Sequence, residues 1–502
     1  MDPRSWAHTD RIAVVVEPGE VTLTYRDLDE RANRLAHVFR ANGIRRGDVV
    51  AILMENVEHF HVVAWAARRS GLYFVAVNTN LTGPEAAFIV RDCQSVAVVA
   101  TSSMCEVARY LTEEVVPKVR LRLMAGGVEP GWASYEGAMM NAAAEPITDE
   151  SPGDLLQYSS GTTGRPKGIK RELEEQGTPD PTMPFLQAIG FNEGGVYLSP
   201  APLYHTAPIY WTMAVHRLGG TTVVMNKFDP EDALALIEKY RVTHAQFVPA
   251  MFVKMLKLDE PTRSKYDVSS LVAVVHAAAP CPVPIKRAMI AWWGRIVSEY
   301  YSSSEGAGAT FITAPDWLEH PGSVGRAMMG SPVVIGPEGE ELPTGEVGDI
   351  YFAESRKFGY LGDPDKTAAA HDAEGRSTVG DVGFLDEEGY LYLTDRRNFV
   401  IIANGVNIYP QESENLLIAH PKVADAAVFG IPDVDRGEQV HAVVQPLHPA
   451  EAGDTLAEEL LSYCRENLAA YKCPRAIDFD MQLPRLDSGK LYKKKLRDKY
   501  WA

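Results

Sequence analysis

The sequence predicts an α/β protein: a large N-terminal domain of mixed, mostly parallel sheets with a small β module, then a small α+β C-terminal domain. Three observations predict it. Apolar strand-like runs alternate with helical segments as far as Ile296, and the runs do not alternate in polarity, as expected for parallel strands covered on both faces. The texture changes after about Pro332 to short β segments with turn signals, and again past Asp395. At 502 residues the chain is also too long for a single core.

Taken in order, Thr24 and Asp27 have capping-box spacing, and Leu28, Ala32, Leu35, Ala36 and Phe39 share one helical face that Gly43 terminates. A strand at Val49 to Leu53 follows, then a helical segment from Val57 to Arg69, a strand from Phe74 to Val77, a helix after Thr82 and a strand from Val96 to Ala100. The rhythm resumes with strands at Val196 to Leu198, Ala245 to Val248 and Leu271 to Val275, and with helices at Pro230 to Tyr240 and Val283 to Trp293. Pro337-Glu-Gly, Pro343-Thr-Gly and Glu388-Gly-Tyr punctuate the β module, and Tyr390 to Leu393 alternates as a hairpin strand does. The final unit should hold a strand at Val400 to Ile402, a helix at Gln411 to Ala419, strands at Ala426 to Phe429 and His441 to Gln445, a helix at Leu456 to Leu468 and a basic helix. The expected boundaries are 1–396 and 397–502, with a hinge near Asn398.

Composition narrows the class. A hydrophobic share of 46% and a charged share of 23% are those of a globular protein. The net charge of −18 opposes a general nucleic-acid surface. The only dense basic run, Lys490 to Lys499, reads for most of its lysines as a solvated helix face. Five cysteines without C-x-x-C spacing support neither a disulfide framework nor a zinc site. The start lacks the apolar core of a signal peptide, and no apolar stretch is long enough to span a bilayer. A cytoplasmic location is expected.

The chemistry is concentrated in Tyr158 to Gly168, where Ser159, Ser160, Thr162 and Thr163 are interleaved with Gly161, Gly164 and Gly168 beside Arg165 and Lys167. Glycines let N–H groups turn inward on an anion, hydroxyls add donors, and a lysine adds a mobile charge, so the stretch reads as a phosphate loop. It is not the common one: Pro166 stands where that motif has its second glycine, and Gly168 replaces the Mg²⁺-binding hydroxyl. Tyr301 and Glu305 pair an aromatic face suited to a purine with a carboxylate suited to Mg²⁺. Gly380-Asp381, read as a polar turn, offers a carboxylate to vicinal hydroxyls. Lys490 follows a Ser-Gly turn at the tip of a loop.

In order, the phosphate loop, Leu203-Tyr-His-Thr-Ala-Pro, Ala278-Ala279-Pro280, Tyr301 to Glu305, Gly380-Asp381, Arg396, Gly405 to Glu414 and Lys490 resemble the adenylate-forming superfamily over nearly the whole chain. That superfamily includes acyl-CoA synthetases, peptide-synthetase adenylation domains and firefly-type luciferases. The resemblance implies a mobile C-terminal domain, with ATP and a carboxylic acid bound between it and the larger domain. The acid attacks the α-phosphorus of ATP, pyrophosphate leaves, and acyl-AMP forms. It further implies that Ser159, Ser160, Gly161, Thr162, Thr163, Gly164 and Lys167 serve the phosphates, with Thr162 among the catalytic groups. Ala278, Ala279 and Pro280 would line adenine, Tyr301 would stack on it, and Ser304 would touch nucleotide and carboxylate. Asp381 would hold the ribose, Arg396 would reach the nucleotide, Glu305 would bind Mg²⁺, and His205 would sit beside the acyl pocket. Lys490 would bridge substrate carboxylate and α-phosphate.

The departures from the pattern are informative. Ser302 replaces a glycine that leaves room for the acyl channel, the ribose motif is Thr378-Val379-Gly380-Asp381, the hinge residue is Asn398, and Ala403-Asn404-Gly405 replaces a Ser-Gly-Gly run. The last two fall on the second half-reaction. CoA is the expected acceptor for a chain with no carrier domain after residue 502, and amide formation with an amine is the alternative. A catalytically silent scaffold is opposed by the retention of Lys167, Glu305, Asp381 and Lys490. Tyr204, Ile209, Tyr210, Trp211 and Met213, with Ala307 to Phe311, suggest an apolar or aromatic acid, although the same residues suit a core.

Overall fold

A computed structural model describes residues 3–159, 166–175, 177–178, 182–355, 357–403, 406–485 and 491–501. The chain forms two compact units, one of residues 1–246, 261–273 and 358–367, the other of 247–260, 274–357 and 368–502. It is mixed α/β, with the alternation that the sequence predicts.

In the first unit, Ala133–Ser134, Leu121–Ala125, Ala97–Thr101, Val49–Leu53, Tyr73–Ala76 and Asp154–Leu155 form a six-stranded sheet in that order, every neighbouring pair parallel. Val49–Leu53 and Ala97–Thr101 are buried at every position, which is why their sequences are continuously apolar. The helix Tyr25–Ala41 begins at a complete Thr24–Asp27 capping box and buries Leu28, Ala32, Leu35, Ala36 and Phe39. Beyond its cap at Asn42, Gly43 takes φ +70°, a conformation that glycine adopts without a Cβ penalty. A parallel set, Val196–Ser199, Thr221–Met225 and Ile12–Glu17, is edged by antiparallel Val21–Thr24.

Inside this unit two fully buried imidazoles, His61 and His216, lie with ring centroids 5.0 Å apart. Trp65 Nε1–H donates to His216 Nδ1 at 3.2 Å, so His216 carries its proton on Nε2 and donates to Thr222 Oγ1 at 3.0 Å. Both nitrogens of His61 lack a hydrogen-bond partner. Burial drives His61 down to about 3 from its ordinary 6.5. Between those values the unfolded chain binds a proton that the folded chain refuses, so folding stability falls as pH drops through this window. His61→Leu is therefore expected to raise the unfolding free energy by about 1–3 kcal/mol at pH 7 by removing a buried unsatisfied group. It should also flatten the acid limb by about 1.4 kcal/mol per pH unit. Denaturant titrations at pH 7 and pH 5 measure both effects, and an unchanged acid limb would contradict the assignment.

In the second unit, Ala273–His276 runs parallel to Val297–Ser302, with the helix Val283–Trp293 between them in sequence. Ala309–Ile312 and Arg326–Met329 continue this sheet in antiparallel fashion. The expected β module is a four-stranded antiparallel sheet, Ser331–Ile335, Gly348–Ala353, Ser377–Leu385 and Leu391–Arg396. Further on, Val406–Ile408, Ile401–Ala403, Gly437–Pro446 and Val423–Asp433 make another sheet, joined by parallel Ala476–Phe479. Leu417 from the helix Pro410–Ala419 and Leu460 from the helix Asp454–Asn467 are buried in its core.

In the basic C-terminal run Lys495 and Lys499 are exposed, as expected, and Lys493 is an exception. The helix of the run is short, Lys493–Arg497, and Lys493 is a buried residue whose ammonium lies 2.8 Å from Glu414 Oε1. Glu414 also accepts from the Val428 N–H at 2.6 Å. A buried acceptor decides which lysine of a charge run is structural, and charge spacing alone does not reveal it.

Candidate active site

The phosphate stretch is framed by a hairpin. Gln157–Ser159 pairs antiparallel with Lys167–Lys170, Lys167 facing Ser159 and Gly168 facing Tyr158, and Gly359–Tyr360 pairs on the other side. The two ends of the predicted loop are thus strand, because their backbone groups find ladder partners. A Cβ at Gly168 would be a tight fit, 3.0 Å from the Tyr158 ring, whose hydroxyl donates to Asp92 at 2.6 Å. Residues 160–165, which contain Ser160, Gly161, Thr162, Thr163, Gly164 and Arg165, lie outside the described residues, as does the side chain of Ser159.

Lys167 has a partner that sequence reasoning missed. Its ammonium donates to Asp363 Oδ2 at 2.9 Å, and this contact holds the Asp363 carboxyl below its ordinary range. Asp363 also accepts the Lys366 N–H at 3.0 Å at the start of the helix Pro364–Ala369. Gly362-Asp363-Pro364 is legible as a helix-start signal, but nothing in it points to a lysine nearly two hundred residues earlier.

The nucleoside candidates gather in the second unit. Because Ala273–His276 and Val297–Ser302 are parallel, the segments that follow them, Ala278-Ala279-Pro280 and Ser304-Glu305, both leave from carboxyl ends of strands, the usual ligand edge of an α/β sheet. Ala278 has φ +74°, a conformation a non-glycine residue rarely holds, and both it and Pro280 are exposed. Tyr301 lies within the strand, half-buried, and donates its hydroxyl to Asp381 Oδ2 at 2.6 Å. Arg396 Nε stands 3.0 Å from Asp381 Oδ1.

The reading of Gly380-Asp381 as a polar turn is corrected: both residues lie in the strand Ser377–Leu385. Thr378 pairs with Tyr351 and Val382 with Asp349, so the residues between them bulge out opposite Ile350 alone. Gly380, at φ +80°, allows that bulge, and Asp381 is carried on it, 6% exposed. Burial and then the Asp381 charge push the Tyr301 phenol well above its ordinary value, so it remains a donor. Asp381, ahead of all other causes, strengthens the proton affinity of Arg396, which also feels the charge of Glu305. A carboxylate oxygen has two lone pairs, so one protein donor on each Asp381 oxygen does not exhaust its accepting capacity.

His205 is the N-cap residue of the helix Thr206–Arg217, with its ring 4.6 Å from that of Tyr204, itself 3.3 Å from Asn80. Most of the residues that suggest an acid pocket are core: Ile209 is 1% exposed, Met213 4% and Trp211 7%. Tyr210 is tied to Arg171 at 2.7 Å and Asp154 at 3.2 Å. A cavity of about 10 Å³ beside Ile209, Tyr210 and Met213 has room for one water. Ser302 donates to the Gly308 carbonyl at 2.9 Å. Residues 404–405 and 486–490, which include Lys490, lie outside the described residues.

A nucleotide-binding ligase is the class that this α/β fold and its ordered motifs define. The chain matches the AMP-binding enzyme family over residues 4–358 and the AMP-binding enzyme C-terminal domain over residues 412–490, and it belongs to that family, the adenylate-forming superfamily. It is 32% identical to the fatty acid–[acyl-carrier-protein] ligase ScoC of Streptomyces coeruleorubidus, over 96% of this chain and 92% of that protein. It is 31% identical to the long-chain-fatty-acid–CoA ligase FadD13 of Mycobacterium tuberculosis, over 98% and 96%. Among solved structures, the amide bond synthetase McbA of Marinactinospora thermotolerans matches with a TM-score of 0.82 at 26% identity, covering 99% of this chain and 100% of that one. The protein is an AMP-forming ligase.

Proposed function

We propose that this ligase activates an apolar or aromatic carboxylic acid with ATP, forming acyl-AMP and pyrophosphate, and then transfers the acyl group to CoA. The observation that carries the nucleotide half is Asp381, raised on a bulge and oriented by Tyr301 and Arg396, where it can accept both ribose hydroxyls. The acid's oxygen bonds to the α-phosphorus as the bond to pyrophosphate breaks, and charge gathers on phosphoryl oxygens. Lys167 leaves Asp363 for the phosphates, with Ser159, Thr162 and Thr163 as donors. Ala278 to Pro280 and Tyr301 take adenine, Ser304 touches nucleotide and carboxylate, His205 stands by the acyl group, and Lys490 neutralises the two approaching anions. Glu305, whose charge is felt by Arg396, would offer a carboxylate oxygen to Mg²⁺ alongside phosphate oxygens, whose charge the ion would offset. The reading keeps domains 1–396 and 397–502 hinged near Asn398, and a cytoplasmic location; no described helix is long and apolar enough to cross a membrane.

A second reading, transfer to an amine, is favoured by the likeness to McbA and by the changes at Asn398 and Ala403-Asn404-Gly405. Incubation with ATP, an acid panel and either CoA or amines, with mass detection of thioester, amide and AMP, separates the two. A thioester is the expected product. If no acid supports pyrophosphate exchange, the chain is a nucleotide-binding scaffold and the proposal fails.

A further inference from the structure

We infer that Lys286 and Glu299 are positioning residues for the adenine site: a buried pair that locks the segment Ala278–Pro280 against the strand end bearing Tyr301. The inference rests on the nucleotide reading above. Lys286 lies on the helix Val283–Trp293, which begins three residues after Pro280, and its side chain is 0% exposed. Its ammonium donates to Glu299 Oε2 at 2.6 Å and stands 4.7 Å from the Trp317 ring centroid. Glu299 lies two residues before Tyr301 on the same face of Val297–Ser302. His276, paired in register with Glu299 on the neighbouring strand, places Nε2 3.5 Å from the same oxygen and lies two residues before Ala278. Burial, with Lys286 beside it, drives His276 well below its ordinary value, so it stays neutral and leaves Lys286 as the cation facing Glu299.

The geometry gives the pair a job beyond stability. An ion pair removed from water is often no more stabilising than well-packed apolar residues, but its short hydrogen bond fixes one register between the groups that carry it. Here those groups are the helix that follows the adenine segment and the strand that aims Tyr301 at Asp381. Removing Lys286 alone would strand Glu299 in the core and threaten folding, so the decisive variant replaces both members with apolar residues.

The double variant Lys286→Met/Glu299→Leu is expected to fold with unchanged thermal stability, while its KM for ATP in pyrophosphate exchange rises at least about tenfold and its KM for the acid moves less than about twofold. Lys286→Arg, which keeps a donor cation facing Glu299, is expected to stay within about threefold of the unmodified chain for ATP. A folded double variant with an unaltered ATP KM, or a folded Lys286→Arg as impaired as the double variant, would overturn the positioning role. Calorimetric titration of the unmodified chain with ATP separates the two claims, because absence of any binding there would bring down the nucleotide reading and this inference with it.

Discussion

Lys490→Ala is expected to reduce acyl-AMP formation by about 10²–10³-fold, taking pyrophosphate exchange to the floor of the assay. The approach of a carboxylate to a triphosphate is anion against anion, and an ammonium placed toward both lowers the barrier most where their charges converge. Once acyl-AMP exists, that convergence is over. Transfer from supplied acyl-AMP to CoA or an amine should therefore remain within a few-fold of the unmodified chain. A parallel collapse of both half-reactions would show that Lys490 serves the fold or the acceptor instead. Lys493 helps to make the variant interpretable, since its buried contact with Glu414 holds the helix Lys493–Arg497 and the substitution removes neither partner.

Asp381→Asn should raise the KM for ATP by about 10- to 100-fold, the loss of one hydrogen bond to a charged acceptor at about 1.5–3 kcal/mol. The amide has a single acceptor oxygen, so Tyr301 and Arg396 can no longer both be satisfied while a ribose is held. Its NH₂ would face one of two donors. Unfolding free energy is expected to fall by about 1–3 kcal/mol for the same reason, read by denaturant titration. KM for the acid should stay nearly constant. If the acid and ATP constants rose together, Asp381 would be organising the whole second unit and not the ribose subsite.

Much of the fold was legible because its signals are local. The helix Tyr25–Ala41 announces itself by its capping box and apolar stripe, and Val283–Trp293 falls where its pattern places it. The helix Thr206–Arg217 escaped notice because nine of its twelve residues are buried, which weakens the 3.6-residue contrast. Gly380-Asp381 was misread as a turn because a bulge needs the same glycine that a turn does.

What the sequence alone determined about this protein is its superfamily, the alternation of strands with helices, and the residue types offered to a nucleotide. Spacing and side-chain chemistry are written along the chain, and motif order multiplies signals that are weak singly. Only the tertiary structure decided which charges meet. Asp363 with Lys167, Asp381 with Arg396, Glu299 with Lys286 and Glu414 with Lys493 are joined across long sequence separations. The reason is physical: a charge's partner in a folded protein is set by which strands and helices pack together, and burial, not sequence distance, determines how much that meeting matters.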